Sequence, residues 1–317
     1  MPQNTPHSSA KNWARDYQNW VEQFDYPWFI QAAWATGVVL LLLAGWLWWS
    51  YGSVKSYDVF WGTINNSLAT NAVSKQVSSS SGGTTIALSQ QISLGGQNAV
   101  TSRSVITQGQ GDQQTVVKTE SIATPTTNYS RYTNITTRQS KAAAVLNFKP
   151  ILNIWGKEAV NASGNGSFAQ AIFDIIPIAD LQPAQRQAVV ASMKTGNVYT
   201  VDYSAVKKHH QNGHLIYDYT LAIAPDGYVN ILKQIDNDMN LNQLTNLDAS
   251  QYQGAVAVKV TVSIDAHARQ LVGLSFDGSN QTESFSNYGY APTIQIPAKT
   301  VPLSQLQNQL AATLGSK

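Results

Sequence analysis

Three histidines, His209, His210 and His214, lie close together in the sequence and form its only histidine cluster. Neutral imidazoles bind transition metals, but a protein site needs three or four convergent ligands. These histidines belong to an Asn- and Gly-containing turn with no obvious carboxylate partner beside them. We therefore expect a solvated hairpin turn here and no metal site.

A second group of polar residues imitates the first half of a calcium-binding loop. Asp236, Asp238 and Asn240 have the spacing of the first three ligands of such a loop. However, Leu241 stands where the loop requires Gly, and Leu247 stands where it requires a bidentate Glu. The pattern therefore does not predict calcium binding.

The chain shows no residue arrangement typical of an enzyme. It contains no Gly-rich phosphate loop, no G-x-S-x-G nucleophile motif and no H-E-x-x-H zinc motif. Its acidic residues are scattered, and zero cysteines exclude a catalytic thiol, a thiolate zinc site, a disulfide and an acylated cysteine. We expect no catalytic residue, no cofactor and no enzymatic activity.

Charged side chains are scarce along the 317 residues. They make up 12% of the chain, about half the usual share of roughly 25%. The formal net charge is +2, whereas nucleic-acid binding requires a clustered basic face. We therefore exclude a nucleic-acid partner and expect a surface that is polar but weakly charged.

One apolar run, from Ala32 to Trp49, predicts a membrane-spanning helix. Extended to residues 28–51 it covers 24 residues without a charge, and aromatic side chains stand at both ends. A buried helix of a soluble protein and a cleaved signal peptide are the alternatives. The polar stretch before the run is too long for a signal peptide, and no small-residue cleavage site follows. We predict an uncleaved signal anchor.

The residues on either side of this run indicate its orientation. Lys11 and Arg15 precede it, and only Lys55 follows closely, a weak bias toward a cytoplasmic N-terminus. Residues 1–27 are then a cytoplasmic tail, in which Trp13–Phe24 forms an amphipathic helix on the membrane surface or a continuous extension of the membrane helix. Residues 52–317 are an extracytoplasmic domain of a single-pass protein of the plasma (inner) membrane, with the lipid bilayer as a partner.

Hydrophobic periodicity predicts an α+β domain after the membrane segment. We expect a helix over about Tyr57–Lys75, ended by the Ser78–Gly83 stretch, and later helices over Pro183–Lys194 and Tyr228–Met239. Alternating segments separated by turn residues predict an antiparallel meander. Its strands are Thr84–Ser93, Ala99–Thr107, Thr115–Ala123 and Asn128–Thr137.

The last third of the chain has the clearest strand pattern. Val256, Val258, Val260, Val262 and Ile264 alternate with smaller or polar residues, as in a strand with one buried face. Further strands follow at Gln270–Phe276, Thr282–Tyr288 and Thr293–Ile296, and a short amphipathic helix from Leu303 to Leu314 closes the chain. We expect the five branched side chains to face a helix or a cavity.

These closing segments resemble a known family. Four segments carry the resemblance: the Ile264-Asp265-Ala266-His267 turn, the strand Gln270–Phe276, the run Phe285-Ser286-Asn287-Tyr288-Gly289-Tyr290 and the segment Ile296-Pro297-Ala298. They resemble the closing hairpins of LolA-like and LppX/LprG-like domains, the bacterial lipid and lipoprotein carriers. The resemblance implies a curved antiparallel sheet, a half-barrel wrapped around helices, with an apolar cavity between them. The resemblance is good over residues 254–300. Such carriers can be anchored by an acylated cysteine, which this chain lacks, so the predicted membrane helix would take over the anchoring.

Two functions follow as hypotheses. The first is a membrane-anchored cell-envelope protein whose outer domain binds a hydrophobic ligand, such as a lipid or the acyl chain of a lipoprotein. The second is an envelope sensor or protein-interaction module with the same fold, a protein partner and no ligand cavity. The candidates for a ligand cavity are Val256, Val258, Val260, Val262, Ile264, Ile231, Ile235, Ile172 and Ile176.

Overall fold

The computed structural model describes residues 35–46, 54–111, 114–138, 146–160 and 166–314. The chain divides into two compact units, Met1–Val54 and Lys55–Lys317. In the first unit, residues 35–46 are helical and largely exposed. They form the middle of the predicted membrane helix. The two ends of that segment and the predicted amphipathic helix of the tail lie outside the described residues. Within the described ranges, no helix combines the length and the apolar character that crossing a membrane would require.

The second unit contains five α-helices in its described part. They are α1 (Ser56–Ser67), α2 (Ser167–Ile172), α3 (Pro183–Thr195), α4 (Pro225–Asp238) and α5 (Leu303–Leu314). Proline at the first position of α3 and α4 fixes the backbone angle that a helix start needs. In α3 the side chains of Gln182 and Gln185 also bond the backbone groups at the helix start, as a capping box does.

The described residues of this unit also form one sheet of thirteen strands. The strands are β1 (Ala72–Ser81), β2 (Thr84–Ser93), β3 (Ala99–Gln108), β4 (Thr115–Ala123), β5 (Thr127–Thr137), β6 (Gly156–Ala159), β7 (Tyr199–Val201), β8 (Lys207–Gln211), β9 (His214–Ile223), β10 (Val258–Asp265), β11 (Gln270–Phe276), β12 (Thr282–Ser286) and β13 (Val301–Pro302). Their order is β13-β6-β5-β4-β3-β2-β1-β12-β11-β10-β9-β7, and β8 pairs with β9. The sheet is curved and does not close, which confirms the predicted α+β class with a large, open antiparallel sheet.

The start of the sheet differs from the prediction. The helix α1 ends at Ser67, and the residues from Ala72 onward form β1 instead of continuing the helix to Lys75. The Ser-rich stretch is part of this strand, since Ser78 pairs with Ala87 in β2. The turn itself is only Gly82-Gly83, both of which have positive φ, as a tight two-residue hairpin requires.

The strand β10 confirms part of the predicted alternation. Val260, Val262 and Ile264 are fully buried. The prediction is wrong for the first two branched residues, because the strand begins at Val258 and not at Val256. Val256 is 89% exposed and Val258 is 44% exposed. Val258 pairs with Ile223, the last residue of β9. Strand β9 therefore has no residue left to pair with Val256, which precedes β10.

The predicted strand at residues 293–296 does not form. These residues have no regular secondary structure. Instead, Ile294 is buried in a small apolar cluster with Ala99, Ile122 and Tyr129. Its hydrophobic pattern therefore reflects packing of a loop against the sheet.

Candidate functional site

The face of the sheet on which the helices pack, here called the inner face, is organised in rows of side chains that cross neighbouring strands. Helix α2 packs on β2 and β3, and α1 packs on β10 and β11. The first row beside α2 is apolar and almost completely buried. It consists of Val73, Ile92, Val100 and Ala123, which the strand registers place side by side.

The second row of the inner face is polar, although it is also buried. The registers align Lys75 of β1 with Gln90 of β2 and Ser102 of β3. The Gln90 Nε2 donates a hydrogen bond to Ser102 Oγ at 3.2 Å, so these two groups satisfy each other. Lys75 lies outside that bond and takes its partners from elsewhere in the chain.

Lys75 is the centre of a buried charged triad with Asp174 and Glu283. Its Nζ contacts Asp174 Oδ2 and lies 2.8 Å from Glu283 Oε2. The three side chains are only 4 to 8% exposed. Asp174 belongs to the bend that follows α2, and the hydroxyl of Tyr228 in α4 donates to its backbone carbonyl. The triad thus joins β1, β12 and the segment after α2.

The electrostatics of the triad are unbalanced, because two carboxyl groups face one ammonium group. Burial and the neighbouring Asp174 carboxyl raise the pKa of Glu283 to about 7, against the lowering effect of Lys75. For Lys75, burial lowers the pKa, but the two carboxyl groups outweigh it and hold the pKa above its ordinary value. At neutral pH Lys75 is charged, and Glu283 is close to half protonated.

Beyond the polar row, the inner face carries apolar side chains that are only partly covered. Val77 and Leu88 are paired in the third row, and Ile86 and Ile106 are paired in the fourth. We call these four residues the apolar strip. Val77, Leu88 and Ile106 are half-buried, and Ile86 is 37% exposed. Ser79, Ser104 and Thr119 flank them in the same rows.

Glu283 lies at the boundary between the closed and the partly open part of the inner face. In the third row it stands between Leu274 on one side and Val77 on the other. Leu274 and its neighbour Val262 are buried, whereas Val77 begins the apolar strip. A single carboxyl group therefore separates a filled apolar core from an apolar surface.

The residues predicted to line a cavity lie mainly in this filled core. Apart from Val256 and Val258, they are buried: Val260, Val262, Ile264, Ile231, Ile235, Ile172 and Ile176. Four grooves in the described part of the chain are lined by other residues. A cavity role for these nine residues stays a prediction.

The opposite face of the sheet, here called the outer face, has an open groove of about 450 Å³ across β12, β1, β2 and β3. Ala87 and Val105 contribute apolar surface to it, and Arg103 contributes charge. Val77, Leu88 and Glu283 of the inner-face rows also line it. Val105 is 36% exposed. This outer groove is the alternative place for an apolar ligand, so an experiment must separate the two faces.

The histidines lie on the hairpin that β8 and β9 form. His209 Nδ1 is 3.4 Å from Asp218 Oδ2, and His214 Nδ1 is 2.7 Å from Asp265 Oδ2. His209 and His214 thus each have a carboxylate partner of their own, which the sequence did not indicate. Among the described residues, no three His, Cys, Asp or Glu side chains converge as a metal site would need.

The imitation of a calcium loop has a structural explanation. Asp236 is buried, and its two carboxylate oxygens accept hydrogen bonds from the backbone N–H groups of Gln243 and Leu244. The carboxylate therefore fixes the turn after α4. The Asp236 side chain therefore has a structural role in this turn.

An aromatic cluster surrounds the start of α1. Tyr57, Trp61 and Tyr203 line an open groove of about 370 Å³, together with Lys194. The Lys194 Nζ lies 4.8 Å from the ring centre of Trp61 and 5.3 Å from that of Tyr57. Because this ammonium already stacks on both rings, the groove is occupied by the protein's own cation.

No protein-family model and no curated protein matches this chain. Among solved structures, the chain is similar to the crystal structure of LprF from Mycobacterium bovis, with 16% identity and a TM-score of 0.40 over 78% of this chain and 98% of that one. It is also similar to the Mycobacterium tuberculosis lipoprotein LppX, with 12% identity and a TM-score of 0.32 over 74% of this chain and 98% of that one.

Sequence reasoning missed the triad. The hydrophobic pattern predicts Lys75 at the end of a helix, and Asp174 and Glu283 stand among scattered acidic residues of the sequence. One signal was available: in β12 Glu283 alternates with Phe285, so both belong to the face that a Phe side chain would bury. A charged residue at a buried position of a strand indicates a partner elsewhere in the chain.

Proposed function

We propose that the unit formed by residues 55–317 binds the apolar chain of a hydrophobic ligand along the apolar strip. The protein would act by binding and not by catalysis. Its apolar segment 28–51 would hold it in the plasma membrane, with the binding unit outside the cytoplasm. A lipid or the acyl chain of a lipoprotein is the class of ligand that such a position makes available.

The observation that carries this proposal is the position of the apolar strip on the inner face of a curved sheet. Its four side chains are adjacent in two rows and remain partly exposed, whereas the first row beside α2 is almost completely buried. Covering apolar surface releases roughly 25 cal/mol per Å², and a surface on the inside of a curve contacts a chain on more than one side. The strip therefore favours an extended apolar ligand.

Photolabelling tests where an apolar chain binds. The full chain in phospholipid vesicles is incubated with a long-chain alcohol that carries a diazirine, irradiated, digested with trypsin and sequenced by mass spectrometry. We expect label on Ile106, which does not line the outer groove, as well as on Val77 and Leu88, which do. These residues lie on the tryptic peptides that end at Arg103 and Lys118. We expect Ile86→Gln to reduce this labelling at least about fivefold, because a polar amide would face the chain.

The matched control is Val105→Gln. Val105 has nearly the same exposure as Ile86 but lies on the outer face, so the two changes have similar consequences for stability. Val105→Gln should leave the labelling unchanged. Label confined to Ala87 and Val105, or equal loss of label in the two variants, would show that the inner face is not the binding site.

The proposed membrane topology has its own test, which the absence of cysteine makes direct. Ser8→Cys and Ser80→Cys each introduce the only thiol of the chain, one in the tail and one on β1, where Ser80 is exposed. A membrane-impermeant maleimide should label Ser80→Cys in intact cells and Ser8→Cys only after lysis. The reverse pattern, or labelling of both in intact cells, would contradict the proposed orientation.

A further inference from the structure

The start of α1 carries exposed tyrosine and lysine side chains that contact one another. Tyr57 in the first turn of α1 is 46% exposed, and its ring centre lies 5.3 Å from that of Tyr203 in the loop between β7 and β8. Lys194 near the end of α3 is exposed and holds its ammonium group over the Tyr57 ring. Lys55, the residue before α1, is exposed as well. Aromatic rings and ammonium groups thus share this part of the surface.

The β8–β9 hairpin adds a second lysine that is held on a tyrosine ring. Lys208 is exposed, and its Nζ lies 4.6 Å from the ring centre of Tyr217. Two residues further along β9, the Tyr219 hydroxyl donates a hydrogen bond to the Ser56 carbonyl at 2.9 Å, which ties the hairpin to the start of α1. These contacts define a tyrosine–lysine patch of Lys55, Tyr57, Lys194, Tyr203 and Lys208.

The charges of this patch favour an anionic partner. Its three lysines outnumber the exposed acids of the same segments, Asp58 and Asp202. Asp202 directs its carboxylate to the N–H and hydroxyl groups of Ser204 within its own loop. Lys194 and Lys208 each lie over a ring, which holds the ammonium group in place while leaving it exposed. The patch therefore presents fixed hydrogen-bond donors with an excess of positive charge.

The position of the patch along the chain indicates its partner. Only residues 52–54 separate Lys55 from the apolar segment 28–51, which we propose to lie in the membrane. A chain advances at most about 3.6 Å per residue, so this connection spans no more than roughly 15 Å. Tyrosine and lysine are typical of the headgroup layer, where the ring is half-buried and the ammonium group meets phosphate oxygens. An anchored chain therefore keeps the patch close to lipid headgroups.

We infer that the tyrosine–lysine patch docks on the headgroup layer of the membrane, with phospholipid phosphates as its ligands. The inference rests on the anchoring that belongs to the proposed function. A lysine close to an anionic bilayer surface strengthens attachment roughly fivefold, and the tyrosine rings add apolar contact with the lipid. Docking gives the unit of residues 55–317 one orientation on the bilayer, which a short connection alone does not provide.

Fluorescence quenching tests the docking in the full chain, because the absence of cysteine allows one label at a chosen site. Ala205→Cys places bimane at an exposed position beside Tyr203. Ser80→Cys places it on β1, which β10, β11 and β12 separate from β9. Each protein is reconstituted in vesicles of phosphatidylcholine and phosphatidylglycerol, with or without a nitroxide on the choline headgroup. The ratio of the two intensities cancels quenching by the protein's own aromatic rings.

The same labels are read in two double variants. Lys194→Gln with Lys208→Gln removes two charges of the patch. Lys118→Gln with Lys157→Gln is the matched control, because both lysines are exposed and lie elsewhere in the sheet, on β4 and β6. Lys157 also lies over a tyrosine ring, that of Tyr129, at 6.0 Å. The control therefore removes the same charge and a similar ring contact.

We expect the headgroup nitroxide to quench the label at position 205 and not the label at position 80. Loss of Lys194 and Lys208 should lower the ratio of quenched to unquenched label at position 205 at least about fivefold, and the control should leave it unchanged. Equal quenching at the two positions, or equal effects of the two double variants, would overturn the inference while the anchoring stands. A chain that does not float with the vesicles in a density gradient would refute the anchoring and the inference with it. The comparison of the two positions in wild type decides the question even where a variant does not fold.

Discussion

At the scale of single residues, the surroundings of Glu283 disfavour its ionised form, because the carboxyl is buried beside the Asp174 carboxyl. Transfer of an ion pair from water to a protein interior is unfavourable unless each charge is matched and hydrogen-bonded. In the triad one ammonium group serves two carboxyl groups, and the second carboxyl, that of Glu283, avoids the penalty by keeping its proton up to a pKa of about 7. Proton binding and folding are therefore linked at this residue.

This linkage predicts the pH dependence of stability. The unfolded chain releases the Glu283 proton near the ordinary pKa of 4.5, whereas the folded chain releases it near 7. Between these values unfolding releases a proton, so a rise in pH lowers the free energy of unfolding, by about 1 to 3 kcal/mol in total. Glu283→Gln mimics the protonated carboxyl and should remove this contribution. Urea unfolding of wild type and variant from pH 4.5 to 8 measures the difference.

Glu120 is the control, since its pKa shift has the opposite sign. Hydrogen bonding to Arg131 lowers the pKa of Glu120, so its contribution to stability is lost as the pH falls below 4.5. Glu120→Gln should therefore leave the slope between pH 4.5 and 7 unchanged. A Glu283→Gln protein that keeps the full wild-type slope would show that Glu283 is ionised throughout this range.

At the scale of elements, the last helix depends on one glycine. Gly156 in β6 lies against α5, and a Cβ on it would stand 2.8 Å from Leu303 Cδ1 and 3.0 Å from both Leu303 Cα and Leu306 Cδ1. The backbone of α5 would have to move, because the Leu303 Cα cannot turn aside as a side chain does. We expect Gly156→Ala to lower the free energy of unfolding by about 1 to 3 kcal/mol.

Gly273→Ala is the corresponding change in β11. A Cβ at Gly273 would make ordinary contacts of 3.5 Å or more, and the alanine should be neutral or slightly stabilising. Urea midpoints of the two variants against wild type give the comparison. Equal midpoints for Gly156→Ala and Gly273→Ala would contradict the close approach of α5 to β6.

The elements that the sequence predicted well are those with strong local signals. The strands Thr84–Ser93, Thr115–Ala123 and Gln270–Phe276 form with the predicted bounds, because alternation and turn residues define them locally. Strand β1 was missed, because its C-terminal half is four consecutive serines, which carry no hydrophobic alternation. Its conformation is determined by pairing with β2 and β12, which is tertiary information.

At the scale of the whole molecule, the candidate site was not predictable from local patterns. Asp174 follows Lys75 by 99 residues, and Glu283 lies roughly as far again along the chain. The three meet only because β1 pairs with β12 and α2 packs over β2 and β3. A single sequence carries no signal for such pairing. The apolar character of the core residues was predictable, whereas the strip that the helices leave partly open was not.

The pairing of β1 with β12 also delays completion of the sheet during protein synthesis. Ser74 pairs with Ser286, about 210 residues later in the chain. At a synthesis rate of roughly 5 to 20 residues per second, the last partner strand follows the first by about 10 to 40 s. The hairpins formed by β1 to β5 close within microseconds of their synthesis. Until β12 is made, this part of the sheet exposes the unpaired edge of β1 and its apolar inner face. During that interval the exposed edge of β1 can pair with a strand of another molecule, so strand pairing between newly made chains competes with the arrival of β12.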